Sequence, residues 1–257
     1  MNLRICAAGM AIAAVATGCG SGSGNPTRSR SFPARSRAQP RPVHRSELAG
    51  RSALGRPMRV VESGDPAAPR SVLVVGCIHG TETAGVAVTR RLIEAKPPPR
   101  ERLWIMDCLN PDGAAKGTRD NAHGVDLNRN FPWHWRPRYM PGDPQYSGPR
   151  PASEPETRVA MRLIERIRPT VTIWFHQPVG IVRAFGRSAR VARRFARLTG
   201  LPFRLLPWLS GSASNWQNHR FPHAASFVVE LPPGPLSRAA AARYVRAIRT
   251  LAACPES

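Results

Sequence analysis

His79 and Glu82, followed far downstream by His176 and then Glu230, form the set of residues best placed to do chemistry in this chain. A His and a Glu three residues apart converge on one ion where the backbone turns at a strand end, and a third, distant His completes a coordination shell whose fourth position is left to water. That is the pattern of a catalytic zinc site; a closed structural site would use four protein ligands and several clustered cysteines. The five cysteines here are instead scattered along the chain. An HxxE tetrad is a weak signal alone, and its setting strengthens it. Ser71 to Ile78 is a short apolar, β-branched run that reads as a buried strand delivering His79 at its carboxyl end, where open α/β sheets bind ligands.

The elements that must position these residues alternate. Thr83 to Ala95 carries Val86, Val88, Leu92 and Ile93 at helical spacing and stops at Pro97. Leu103 to Asp107 reads as the next strand. Ser153 to Glu156 reads as a capping box for a helix with Val159, Ala160, Leu163, Ile164 and Ile167 on one face, ended by Pro169. Thr170 to Phe175 is then a strand presenting His176. Ser188 to Leu198 reads as a helix with Gly200 at its end, Ser226 to Val229 as a strand leading into Glu230, and Ser237 to Ala253 as a closing helix. This alternation predicts an α/β three-layer sandwich, a central mixed, mostly parallel sheet flanked by helices.

The chain has 257 residues, 42% of them hydrophobic, enough for one domain with a full core. Of its 38 basic residues only Lys96 and Lys116 are lysine, so the net charge of +22 is an arginine charge. Such a surface suits phosphate, carboxylate or anionic lipid, or simply solvates the protein. Nucleic acid is not expected as a partner, because neither aromatic platforms interleaved with basic residues nor a reading helix is present.

Residues 1–19 read as an export signal, with Arg4 before an Ala-rich apolar stretch too short to span a membrane. Two processing routes fit. Ala16-Thr17-Gly18-Cys19 resembles a lipoprotein signal in which Cys19 becomes the lipid-modified first residue, and the Gly/Ser run after it would serve as a tether. Ordinary cleavage after Ala16 would instead release a secreted protein. The favoured expectation is an exported, cell-envelope lipoprotein anchored through Cys19. Residues 20–47 read as a disordered basic Gly/Ser/Pro/Arg linker and 48–257 as the catalytic domain. Cys77, Cys108 and Cys254 remain after processing and are expected as free thiols.

A second block lies between the two histidine segments: Asn110-Pro-Asp-Gly113, Arg119-Asp-Asn121 and Gly124-Val-Asp-Leu-Asn-Arg-Asn-Phe-Pro132. Together with His79 to Glu82, Ser153 to Thr157, His176 to Pro178 and Glu230 to Gly234, it resembles the zinc carboxypeptidase family related to carboxypeptidase A, and within it the bacterial murein peptide amidases. The resemblance implies one zinc ion on His79, Glu82 and His176, Glu230 as catalytic base and acid, and Arg119 as the group that polarises the scissile carbonyl. It also implies Asn128 and Arg129 as the grip on a substrate carboxylate. The chain departs from the pancreatic enzymes in having no tyrosine between His176 and Glu230, where Trp208 occupies the flap stretch. No Asp or Glu lies between Leu201 and Val229, so that segment brings no acid to select Lys or Arg. Pro207, Ser210, Ser212, Ser214 and Asn215 suggest a small polar pocket.

The expected activity is zinc-dependent hydrolysis of an amide beside a free-carboxylate residue, in particular the γ-D-glutamyl to diaminopimelate bond of a murein peptide. Three alternatives stay open: a general metallocarboxypeptidase for neutral C-terminal residues, an N-acyl amino acid deacylase, and a non-catalytic lipoprotein binding anionic envelope polymers. The oligomeric state is left open. His44, His123, His134, His219 and His223 match no motif and are expected in surface, loop or packing roles.

Overall fold

Predominantly apolar runs are buried on both faces as interior strands, and four such runs, β3 (Ser71–Val75), β4 (Arg102–Met106), β5 (Val171–His176) and β8 (Ala225–Glu230), make the parallel centre of the molecule. The computed structural model describes residues 41–207 and 209–253; Cys19, Trp208 and Cys254 lie outside them. Around the centre, β1 (Val43–Arg51) and β2 (Pro57–Gly64) add an antiparallel edge beside β4, while β6 (Ile181–Ala184) and β7 (Phe203–Leu205) extend the sheet beyond β8. The order is β1-β2-β4-β3-β5-β8-β6-β7, eight strands of mixed direction.

Alternation along the strands divides the core. Val72 and Val74 of β3 face a layer that includes Val88 and Leu92 of α1 (Val86–Glu94), Phe195 of α4 (Ser188–Thr199) and Tyr244 of α6 (Arg238–Ala253). Leu73 and Val75 point the other way, against Val159 and Leu163 of α3 (Pro155–Ile167) and Trp216 of α5 (Ala213–Arg220). Period-two side-chain alternation on a strand produces this division, and it requires helices on both faces. The remaining helix, α2 (Pro111–Lys116), is short and sits in the loop region beyond β4.

The chain leaves β3 through α1 to β4 on one side and returns through α3 to β5 on the other, so β3 and β5 are neighbours whose connections diverge. Such a switch point opens a crevice outside the carboxyl ends of the strands. His79 follows β3 and His176 ends β5.

The structure corrects the expected elements at several places. The first strand begins at Val43, inside the stretch read as linker: its hydrogen bonds to β2 order polar residues that no apolar pattern would mark. The capping box does not form. Glu154 is the N-cap of α3 without a side-chain cap bond, because Ser153 Oγ donates to Glu154 and the Glu156 carboxylate instead accepts from the Ala53 amide. Residues 83–85 are turn and not helix, so α1 starts at Val86. The two short strands β6 and β7 and helices α2 and α5 carry too little periodicity to be read from sequence.

Candidate metal centre and active-site cleft

His79 lies in a tight turn after β3 that is held by two backbone bonds, Glu82 N to His79 O at 3.0 Å and Gly80 N to Arg119 O at 3.0 Å. Gly80 is required for the second. A Cβ there would stand 2.1 Å from the carbonyl carbon of Gly113 and 2.4 Å from the Thr118 oxygen, so the turn presses flat against the loop that carries Arg119. On the other strands, His176 and Glu230 are paired in register as the last residues of β5 and β8.

These elements bring three ligand side chains together. His79 Nδ1 is 2.9 Å from Glu82 Oε1, His176 Nδ1 is 2.9 Å from Glu82 Oε2, and the two Nδ1 atoms are 3.2 Å apart. Ligands around a tetrahedral zinc with bonds of about 2.0–2.2 Å stand about 3.3 Å from one another, so the donor set and its spacing fit that ion. All three side chains are buried. Burial alone would neutralise Glu82, but hydrogen bonds from His176 and His79 outweigh it and hold the carboxyl well below the usual carboxylate range. Burial pushes His176 down to about 4, keeping its imidazole neutral, as a metal ligand must be.

Asp126 is the member of the site that sequence reasoning missed. Its Oδ1 lies 2.9 Å from His79 Nε2 and also accepts the Asn128 amide at 2.8 Å, while Oδ2 accepts from Arg119 at 3.0 Å. An acceptor on Nε2 fixes the ring with Nδ1 facing Glu82 and His176, the carboxylate–histidine arrangement that orients metal ligands. For His79, burial disfavours the charge, but Asp126 and Glu82 outweigh it and raise the pKa. The signal was present in the sequence, since Asp126 lies two residues before Asn128, yet nothing in the spacing tells an inward carboxylate from an N-cap; here it is both.

The other expected residues line the same cleft, whose cavity volume is about 130 Å³. Arg119 donates to Glu82 Oε1 at 2.7 Å and to Asp126, and those two carboxylates overcome burial to raise its pKa. Asn128 is fixed by accepting the Ala213 amide at 3.0 Å, with its Nδ2 3.5 Å from His176 Nε2. Arg129 is buried; its NH1 donates to Asn128 O at 2.9 Å, and among the described residues its Nε has no hydrogen-bond partner. A Cβ on Gly211 would lie 2.0 Å from the Arg129 carbonyl oxygen, so the loop before α5 packs directly on the backbone of that arginine.

Glu230 is 9% exposed, and its carboxylate makes no hydrogen bond among the described residues. Burial and the nearby Glu82 charge push its carboxyl up to about 7, against the pull of Arg183, His79 and Arg119. Of the polar pocket expected from sequence, Pro207, Ser212 and Ser214 line the cleft, whereas Ser210 and Asn215 line a separate surface hollow beside Trp133. Glu82 and Glu230 are the only acids among the described lining residues, and Arg183, which sequence reasoning did not single out, projects into the cleft from β6. Cys77 is a buried free thiol donating to His79 O at 3.2 Å, and Cys108 is a half-buried free thiol. His123 pairs with Glu154 at 2.7 Å and His219 stacks on Trp133 at 4.0 Å, both away from the ligand cluster.

The zinc carboxypeptidase family model matches residues 100–182. Murein peptide amidase A of Vibrio campbellii is 30% identical over 202 residues, spanning 72% of this chain and 78% of the relative. Murein peptide amidase A of Escherichia coli K12 is 36% identical over 149 residues, spanning 53% of this chain and 61% of the relative, less than two thirds of its length. Among solved structures, the murein-tripeptide amidase MpaA from Escherichia coli O157 superposes with a TM-score of 0.68 at 30% identity, covering 82% of this chain and 92% of that one. Carboxypeptidase A from Helicoverpa armigera superposes with a TM-score of 0.69 over 82% of this chain and 69% of that one; at 19% identity it speaks to the fold alone.

Proposed function

The chain belongs to the zinc carboxypeptidase family, and from that premise we propose that it is a zinc-dependent amidase acting on murein peptides at the γ-D-glutamyl to diaminopimelate bond. One observation carries the reading: a neutral-poised carboxylate, Glu230, and a buried arginine with an unpaired Nε, Arg129, share a cleft with the His79, Glu82 and His176 cluster.

Zinc held by the Nδ1 atoms of His79 and His176 and by the Glu82 carboxylate would supply Lewis-acid activation of water and of the scissile carbonyl. Glu230 takes a proton from the attacking water and returns it to the departing amine, and a carboxyl raised toward neutrality suits both halves of that exchange. Arg129 offers a planar fork of donors to the free carboxylate beside the scissile bond, with Asn128 adding a directed amide donor. Arg119 places positive charge where the carbonyl oxygen gains negative charge.

The cleft favours this reading over a basic carboxypeptidase because, among the described residues, its lining offers no acid beyond Glu82 and Glu230. The test is mass spectrometry of the zinc-loaded protein with murein tripeptide. Release of free diaminopimelate and the L-alanyl-D-glutamate dipeptide is expected. Intact tripeptide alongside trimming of C-terminal residues from ordinary peptides would overturn the amidase reading in favour of a general carboxypeptidase. Cys19 as a lipid anchor belongs to the same proposal, placing the enzyme at the cell envelope; Cys19→Ala should move the protein from the detergent phase to the aqueous phase on partition.

A further inference from the structure

Arg183 has no role in the chemistry just described, yet it occupies the cleft. It sits on β6, whose antiparallel register sets Arg183 opposite Val228 and Ile181 opposite Glu230. In an antiparallel pair, opposite residues share a face, as do residues two apart on one strand. Arg183 therefore shares a face with Ser226, Val228 and Glu230, and all four line the cleft. Its side chain is three-quarters covered, with 24% exposed.

Its one ion pair among the described residues is loose. Arg183 NH1 stands 3.9 Å from Glu230 Oε1, too far for a hydrogen bond, and its guanidinium makes no hydrogen bond among the described residues. A guanidinium has five N–H donors, and leaving them unmet in a confined cleft is costly. The position also works against the catalytic carboxylate, because positive charge there pulls Glu230 down from the neutral range, and it adds to the positive charge around Arg129. An arginine that weakens the base and repels its neighbour gains a purpose if the substrate brings a second anion.

We propose that Arg183 is a second carboxylate-binding group, so that the residue gripped at its main-chain carboxylate by Arg129 carries another carboxylate at the end of its side chain. The inference rests on the amide-hydrolase reading of this cleft and narrows its substrate class. Ser212 and Ser214 line the same cleft and supply neutral hydroxyl partners that do not repel the second carboxylate. Diaminopimelate, with its distal carboxylate, belongs to the class, as does glutamate; alanine, glutamine and lysine do not.

The experiment compares two near-isosteric ligands, glutamate and glutamine. In the zinc-loaded protein, kcat/KM is measured for one N-acyl group amide-linked to each, and Kd for each free amino acid by calorimetry. A charge-assisted pair predicts a preference for glutamate of roughly 10- to 100-fold in both quantities. Arg183→Gln should bring the ratio to about one, and Arg183→Lys should keep part of it. Loss of Arg183 also alters the field at Glu230, but that change is common to both substrates and cancels in the ratio. A wild-type protein that does not distinguish the two, or an Arg183→Gln variant that still does, would overturn the assignment. If no amide is hydrolysed but the binding preference and its loss in Arg183→Gln are seen, the amidase reading falls and the Arg183 assignment stands.

Discussion

At the scale of single residues, Glu230 is a carboxylate that the fold keeps ready to hold a proton. Glu230→Gln cannot exchange that proton, and turnover should fall by about 10²- to 10⁴-fold with little change in zinc content, checked by single-turnover kinetics and metal analysis. The same residue makes a prediction for the metal-free protein. Its folded pKa of about 7 lies above the ordinary 4.5, so the folded state binds the proton more tightly than the unfolded chain does. Its contribution to stability is therefore best below pH 4.5, declines as pH rises toward 7, and is a full penalty above that. Glu230→Gln should relieve up to about 3 kcal/mol at pH 8 and nothing at pH 4, read from urea denaturation of the chelated protein. Asp126 acts one step further from the metal. Asp126→Asn should weaken zinc affinity by about 10- to 100-fold, measured by chelator competition, because it removes the anion that orients His79.

Elements place these residues. The turn after β3 and the ends of β5 and β8 meet at the switch point of the sheet, and the turn works only because Gly80 lets it touch the Gly113 to Thr118 loop. Gly80→Ala forces a side chain into backbone atoms that cannot step aside. It should cost about 1–3 kcal/mol by chemical denaturation and lower zinc affinity with it, since His79 and Arg119 are held by the same contact. A variant that retained wild-type stability and zinc affinity would show that the turn tolerates a gap here.

For the whole molecule, the metal cluster joins β3 and β5, the two central strands from which the chain departs in opposite directions. A ligand that binds only the folded state adds its binding free energy to stability, about 4 kcal/mol at a thousandfold excess over Kd. Chelation should lower the melting temperature and abolish hydrolysis, and zinc should restore both, followed by calorimetry and assay on one sample. The arginine charge of +22 is a property of the same scale. No helix among the described residues is long and apolar enough to cross a membrane.

What the sequence determined by itself was local in character. Hydrophobic period located β3, β4, β5, β8 and the helices α1, α3, α4 and α6 within a few residues, because burial on a strand or helix face imprints a period on the chain. Motif spacing singled out His79, Glu82, His176 and Glu230, which the fold brings to one cleft, since strand ends and tight turns limit which residue types can converge there. What only the tertiary structure decided was the company those residues keep. Asp126 faces His79 across 47 positions of sequence, Ser210 and Asn215 turn away from the pocket their neighbours line, and Arg183 reaches Glu230 from an adjacent strand. β1 became a strand through partners and not through pattern. Such relations depend on strand register and loop closure, which are set by the packing of the whole sheet and leave no period in the sequence.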